Sequence, residues 1–430
     1  MKANALAADS LVAALLALPA ERGVAILDSS GTGHLGSHLL IAGIDPVSRA
    51  EVSDDTALRR LAVALADASL AAIFTLSYDF GMSLMGLPSR HQISEPHVYL
   101  ALFDSLLIHD YRTGVTRIAG NASRENTWRE ILDSPAHLPD YNGPRPLAVS
   151  NYTRDEYLRA VDEIKELIRE GETYQANLTQ QLTVGLPPGL GASQIFASLR
   201  RDHPAPFAAY IDRVSSTVVS ASPERFFKIE GREISSSPIK GTIRRSGDAA
   251  RDAELRKHLS ASEKDRAENT MIVDLVRNDL GRVCEFGSVR VQSLCEIEEH
   301  PTLYHLVSTV TGTLRDDMGH DEVLRALFPC GSITGAPKRR TMEIIDRIEP
   351  SARGLSMGTI GIRIPDAAFG MPGFLDTNVA IRTMTIADGD AVFNVGGGIT
   401  IESDAAAEYD ESLLKAKALL RALGDAGLEA

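Results

Sequence analysis

The sequence predicts an α+β fold with mainly antiparallel sheets, and three observations along its 430 residues carry that reading. Strand-like and helix-like runs do not alternate regularly, which argues against a doubly wound parallel sheet. Strand patterns at Phe207 to Ile211, Ser216 to Ser220 and Phe226 to Ile229 follow one another with no helix between them. Long helical patterns stand apart, at Glu263 to Leu280, Asp321 to Leu327, Arg339 to Arg347 and Ala406 to Leu423.

The start of the chain, Met1-Lys2 with the apolar run Leu11 to Ala20, reads as an amphipathic first helix. A signal peptide is disfavoured because Asp9 falls within the segment and the run is short. Gly23 to Leu27, Leu39 to Ile44, Ala72 to Leu76 and Val98 to His109 read as strands or buried segments, and Ala57 to Ala71 as a helix. His137 to Ser150 carries Pro139, Gly143, Pro144 and Pro146, the composition of a linker. It divides an N-terminal region, 1–145, from a region spanning 150–423. Thr153-x-x-Glu156 is a capping box that opens a helix with Leu158, Val161, Ile164, Leu167 and Ile168 on its apolar stripe. Gly171 ends it. Thr173 to Val184 alternates as a strand, with Tyr174, Ala176, Leu178 and Leu182 on one face and Gln175, Asn177 and Thr179 on the other.

Composition excludes several classes. Hydrophobic residues make up 44% and charged residues 24%, as in a folded enzyme. The formal net charge of -14 argues against a general nucleic-acid or anionic-membrane binder. An odd three cysteines, Cys284, Cys295 and Cys330, with no CxxC, fit a reducing cytoplasm. No run approaches the roughly 18 apolar residues that cross a bilayer.

Lys240 is the first candidate for chemistry. It lies in Ser237-Pro238-Ile239-Lys240-Gly241-Thr242, sixteen residues after Glu224 in Ser222-Pro223-Glu224-Arg225-Phe226. A rigidly held amine is a candidate nucleophile and the glutamate a candidate proton donor. A surface lysine in a turn is the competing reading. Glu268 shares a helix face with Ile272 and Leu275, where a carboxylate is costly unless paired or metal-bound. Glu408, Glu411 and Lys415 lie on one face of the last helix. Glutamates from two helices without His or Cys suit a hard cation such as Mg²⁺; an internal salt bridge at Glu268 and a solvated Glu411–Lys415 pair are the alternatives. Gly396-Gly397-Gly398 follows the strand Ala391 to Val395 and could let backbone N–H groups approach an anion, or simply make a tight turn. Arg382 interrupts a buried-looking strand and could pair with a ligand carboxylate or a structural one.

Two glycine motifs are decoys. Gly31-Thr32-Gly33-His34-Leu35-Gly36 matches GxGxxG, but a strand-like run and Pro46 follow it instead of a helix. Dinucleotide-dependent oxidoreduction is therefore a remote alternative. Gly331 to Lys338 looks like a phosphate loop but lacks the GK[ST] ending, and Pro337 removes an N–H.

Taken together, these pieces resemble the chorismate-utilising enzymes over about 270 residues, Tyr152 to Leu420. The resemblance is carried by Gly171-Glu172-Thr173-Tyr174-Gln175-Ala176-Asn177, the Glu224 and Lys240 motifs, and Ala267-Glu268-Asn269. It continues through Asp274 to Gly281, His305 to Ser308, Phe328 to Lys338, Ile381-Arg382-Thr383, Gly396 to Ile399 and Glu408-Tyr409-x-Glu411. It implies two antiparallel sheets packed as a sandwich flanked by helices, as in anthranilate synthase component I. Anthranilate synthases usually carry alanine where this chain has Lys240, and aminodeoxychorismate synthase component I carries lysine. Isochorismate and salicylate synthases place a water-activating lysine where this chain has Gln175, and glutamine is a poor general base. The resemblance is therefore closest to aminodeoxychorismate synthase component I, with anthranilate synthase component I as the alternative. Ile362 after Gly361, the stretch Pro365 to Phe374 and Leu27-Asp28-Ser29-Ser30 depart from the family pattern, and no tryptophan site is assigned.

The resemblance implies Lys240 as nucleophile and Glu224 as acid, acting on chorismate and ammonia. It implies Mg²⁺ on Glu268 and Glu408, with Glu411 close by. Substrate contacts would come from Arg382, Gly396, Gly397, Gly398, Thr334, His305, Lys415 and Gln175, with His305 readable equally as a packed strand residue. No glutaminase elements are evident, so ammonia would come from a separate glutamine amidotransferase subunit.

Overall fold

The computed structural model describes residues 2–429 apart from 135, 137 and 300–302. His137, the first residue of the expected linker, lies outside them. Two large sheets form the body of the chain. The twelve-stranded sheet runs from Gly427–Leu428 through Leu147–Ser150, Gln175–Gly185, Asp390–Ile399 and Thr383–Ala387. It continues through Thr217–Ser222, Phe207–Asp212, Ala25–Asp28, Leu39–Gly43 and Ser105–Asp110 to Val115–Gly120, and the twelfth strand, Gly335–Ala336, pairs with Gln175–Gly185 off this path. The ten-stranded sheet runs from Ile239–Arg244 through Leu303–Thr313, Glu233–Ser236, Arg225–Glu230 and Phe374–Asn378, then Thr359–Ile364, Ala71–Leu76, Val98–Phe103 and Ser48–Val52, and its tenth strand, Arg290–Glu299, pairs with Leu303–Thr313 off this path. Their ladders are antiparallel apart from the short Gly427–Leu147 pairing.

One apolar cluster draws Ala25, Ile41 and Leu106 from the first sheet and Ile73, Tyr99 and Ile360 from the second, so the sheets face each other. Helices cover the outer faces. Leu419, Leu423, Phe196 and Trp128 pack on the first sheet, and Leu61, Ile272 and Leu324 on the second. This is the expected α+β sandwich flanked by helices. The regions on either side of residues 145–150 share both sheets. Among the described residues no helix is long and apolar enough to cross a membrane.

Several elements follow their local signals. Thr153 Oγ1 accepts from Glu156 N–H while Glu156 reaches back to Thr153 N–H at 2.8 Å, so the capping box forms and the helix runs Arg154–Arg169. Other expectations change. The Ala57 helix stops at Leu65, because Asp67 accepts the backbone N–H groups of Ser69 and Leu70 and turns the chain into the strand at Ala71. The single run Val98 to His109 splits at Asp104 into two strands that join different sheets. Tyr174, expected on the apolar face, is 69% exposed, because the strand begins only at Gln175. Ala249–Ala261 is a helix that apolar periodicity did not mark, since most of its surface faces water.

Candidate active site

Lys240 stands on the strand Ile239–Arg244, where the register against Leu303–Thr313 slips between Lys240 and Thr242. Gly241 takes φ 75° at that slip. A side chain there would meet Asp265 and Leu259 at 2.9 Å, so glycine both makes the turn and admits the two helices that carry them, Glu263–Gly281 and Ala249–Ala261. A bulge of this kind re-aims the adjacent side chain. Lys240 Nζ lies 3.9 Å from Glu268 Oε2, with both side chains 15% exposed. His305 Nδ1 meets Thr242 Oγ1 at 2.8 Å, which braces the strand just beyond the bulge.

Glu224 sits in the turn between Thr217–Ser222 and Arg225–Glu230. Its backbone is held on both sides: Ser222 Oγ accepts its N–H at 3.3 Å, and its carbonyl accepts Val379 N–H at 3.0 Å. The carboxyl is buried, and Oε1 has no hydrogen-bond partner among the described residues. Burial pushes its pKa up to about 7, against the opposing pull of Ser332, the Lys240 charge and Ile239 N–H. Arg225 points elsewhere, into a bidentate pair with Asp376 at 2.8 and 2.9 Å.

Glu268 projects from the helix Glu263–Gly281 and Glu408 from the first turn of Ala405–Ala422. Burial raises the Glu268 carboxyl above its ordinary range; Lys240 and Lys264 oppose the shift, and Glu408 adds to it. Glu408 Oε1 accepts Ser403 Oγ at 2.7 Å and lies 3.9 Å from Lys264 Nζ. Glu411 stands at the rim, with its side chain 49% exposed and 2.8 Å from Lys415. Burial pushes its carboxyl up, but Lys415, Lys264 and Lys240 together bring it below its ordinary value. Among the described residues no three His, Cys, Asp or Glu side chains gather as a ligand set. The oxygen-only Glu268–Glu408 pair still suits a hard cation. Each is countered by a lysine no closer than 3.9 Å, and Glu408 Oε2 faces Gly397, where an added Cβ would stand 3.2 Å away.

The three glycines are not a loop after a strand. They lie inside the strand Asp390–Ile399, with Gly396, Gly397 and Gly398 opposite Thr179, Leu178 and Asn177. Their reason is close approach. A Cβ at Gly396 would lie 1.9 Å from Leu178 O, and one at Gly398 would lie 2.0 Å from Gln175 Nε2. Gly396→Ala should therefore cost about 1–3 kcal/mol, read as a lower urea midpoint. Asn394 N–H goes to Ser356 Oγ and Gly396 O takes Lys415 Nζ at 2.9 Å, so alternate residues turn their backbone groups away from the ladder. Gly396 and Gly398 N–H belong to that same edge.

Arg382 is half-buried at φ 49°, and burial lowers its pKa. Among the described residues no carboxylate pairs with it, so the structural ion pair is absent and an anionic ligand would satisfy it. Gln175 is buried, and among the described residues its Oε1 has no hydrogen-bond partner. Thr334 is buried, its hydroxyl donating to Cys330 O and Gly331 O at 3.0 and 3.2 Å. Residues without a sequence signal of their own join the site. Ser332 neighbours Glu224, and Ser403 holds Glu408. Lys264 lies four residues before Glu268, a spacing that places both on one helix face and could have found it.

The decoys resolve simply. Gly31 to Gly36 forms a short turn followed by the strand Leu39–Gly43, with no helix to hold a dinucleotide. Lys338 is buried on Asp279 and Leu327 O at 2.7 Å each, so it is not a phosphate ligand. A cavity of about 510 Å³ between the sheets is lined by Asp28, Phe207, Arg225 and Asp376, apart from Lys240 and the glutamates.

Comparison with known proteins agrees with this geometry. Residues 36–421 match the model of the chorismate binding enzyme family. The chain is 37% identical over 354 residues to the aminodeoxychorismate synthase component 1 of Salmonella typhimurium, covering 82% of this chain and 76% of that protein. It is 43% identical over 290 residues to the aminodeoxychorismate synthase of Streptomyces pristinaespiralis, covering 67% of this chain but only 39% of that longer protein. The crystal structure of anthranilate synthase component I from Streptococcus pneumoniae superposes with a TM-score of 0.78 at 25% identity, over 90% of this chain and 92% of that one. The structure of the isochorismate synthase MenF from Escherichia coli has the same fold, with a TM-score of 0.73 at 18% identity over 96% of this chain and 90% of that one. A match over most of the length places this chain in the chorismate-binding enzyme family.

Proposed function

We propose that the chain aminates chorismate as the first component of an aminodeoxychorismate synthase, giving 4-amino-4-deoxychorismate and water from chorismate and ammonia. The observation that carries this reading is the amine of Lys240 standing beside Glu268 on a bulged strand, with the buried carboxyl of Glu224 within its field. The relatives named component 1 imply a partner component, and a glutamine amidotransferase would supply the ammonia.

Glu268 and Glu408 would hold Mg²⁺, with Glu411 at the rim. The bound ion would supply polarisation of the ring carboxylate. Arg382 and the N–H groups of Gly396 and Gly398 would hold the other carboxylate, with Lys415, Thr334 and His305 as further contacts. Glu224 keeps its proton near neutrality and gives it to the C4 hydroxyl, which leaves as water. The Lys240 nitrogen forms a bond to C2 as the C4–O bond breaks, with the ring double bonds shifting between the two carbons. Ammonia then attacks C4, and the C2–N bond breaks to restore the lysine. Gln175 is an amide and cannot take a proton from water, so hydration at C2 is suppressed.

Incubation with chorismate, Mg²⁺ and ammonium salt should give aminodeoxychorismate by mass, with pyruvate retained. Stoichiometric pyruvate with a fluorescent anthranilate product would instead make the chain an anthranilate synthase component. Turnover should fall as pH rises past about 7, the pKa of the acid, and Glu224→Gln should lose activity. The same group bears on stability. Its folded-state pKa lies above the ordinary 4.5, so the folded chain binds more protons between about 4.5 and 7 and loses stability as pH rises through that window. Glu224→Gln should therefore be more stable than the parent at pH 8, by about 3 kcal/mol, in urea unfolding.

A further inference from the structure

Arg353 is an enclosed cation that the proposed chemistry does not use; its side chain is 1% exposed. It follows the helix Lys338–Ile348. Its Nε and Nη2 donate to the two carboxylate oxygens of Glu349 at 2.9 and 2.7 Å. Nη1 donates to Ile333 O at 2.9 Å, and Nη2 also donates to Asn177 O at 2.5 Å. The guanidinium lies 4.4 Å over the Tyr78 ring, and Asp79 accepts Arg353 N–H at 3.3 Å. Both belong to the helix Tyr78–Leu84 of the N-terminal region.

The two carbonyls that Arg353 grips flank candidate substrate contacts. Ile333 precedes Thr334, and Asn177 stands two residues beyond Gln175. Asn177 N–H closes the triangle by donating to Thr334 O at 2.8 Å. The loop held in this way is irregular: Thr334 has φ −111° and ψ −85°, outside helix or strand. It also carries Ser332, the neighbour of Glu224. The loop also bonds the strand directly, through Asn177 N–H on Thr334 O and the pairing of Gly335 and Ala336 with Ala176 and Gln175, and the guanidinium adds a grip on Ile333 O.

We propose that Arg353 is a positioning residue for chorismate binding: clamped by Glu349 and backed by Tyr78 and Asp79, it fixes the Cys330–Thr334 loop against the strand Gln175–Gly185. A planar fork can bind a carboxylate and two separate carbonyls at once; a lysine ammonium cannot reach all of them from one point. The inference rests on chorismate being the substrate. It is tested by a double-mutant cycle on the full chain, with chorismate, Mg²⁺ and ammonium salt. Arg353→Lys should raise KM for chorismate about tenfold while kcat changes less. Thr334→Val should raise it similarly. The double variant should be no worse than the larger single change, because Arg353 acts through the loop that carries Thr334. A general loss of packing would instead give effects that multiply, and multiplied effects or an unchanged KM in Arg353→Lys overturn the proposal. If Arg353→Lys does not fold, Glu349→Gln, which removes the ion pair, goes through the same cycle with the same two outcomes. A parent chain that turns over no chorismate overturns the functional reading itself, and is told apart by the unmutated control.

Discussion

Lys240→Ala should lower the rate of aminodeoxychorismate formation by about 10³-fold or more, because the variant keeps every binding group and loses the nucleophile. The direct readout is intact-protein mass with chorismate and Mg²⁺ and no ammonia. The parent chain should gain the mass of one dehydrated chorismate, mapped to the peptide containing Lys240, and the variant should gain nothing. Borohydride is the wrong trap, since the adduct is a secondary amine and not a Schiff base. With the amine gone, space opens beside Glu268, and ammonia reaching C2 would release some anthranilate. An adduct that persists in the variant, or an unchanged rate, would leave Lys240 a spectator. Family membership would stand, since it rests on the whole matched region.

Glu268→Ala and Glu408→Ala should each lower turnover by about 10²-fold or more, because a single remaining carboxylate holds a divalent cation weakly. Excess chelator should reproduce the loss in the parent chain. Both variants should still fold. The lysines that counter these glutamates are 3.9 Å away and not in tight bridges, so little is stranded when one carboxylate goes. Melting temperatures should stay within about 2 °C of the parent. Glu411→Ala should cost far less, because Glu411 is half-exposed and already paired with Lys415. Full activity in Glu268→Ala or Glu408→Ala, or in chelator, would dismiss the metal site.

The sequence by itself determined the elements whose signals are local. The Thr153 capping box, the long helices that bear Glu268 and Glu408, and the rejection of Gly31 to Gly36 as a dinucleotide loop all rest on residues within a turn or two of each other. The pairing of Glu224 with Lys240 was also legible, because both stand in short, rigid motifs. Tertiary structure alone decided the rest. Whether Gly396 to Gly398 formed a loop or a strand depended on Gln175–Gly185, some 220 residues earlier, accepting them as ladder partners. Val98 to His109 is one apolar run locally, and only the competition of two sheets for it breaks it at Asp104. Tyr174 alternates correctly with Ala176, but its pairing starts one residue too late to bury it. Arg353 has one local partner, Glu349 four residues earlier, but its contacts to Tyr78, Asn177 and Ile333 come from three distant segments. Hydrophobic period and capping are written over a few residues. Strand partnership and buried ion pairing are set by which surfaces meet, and that is settled across the whole chain.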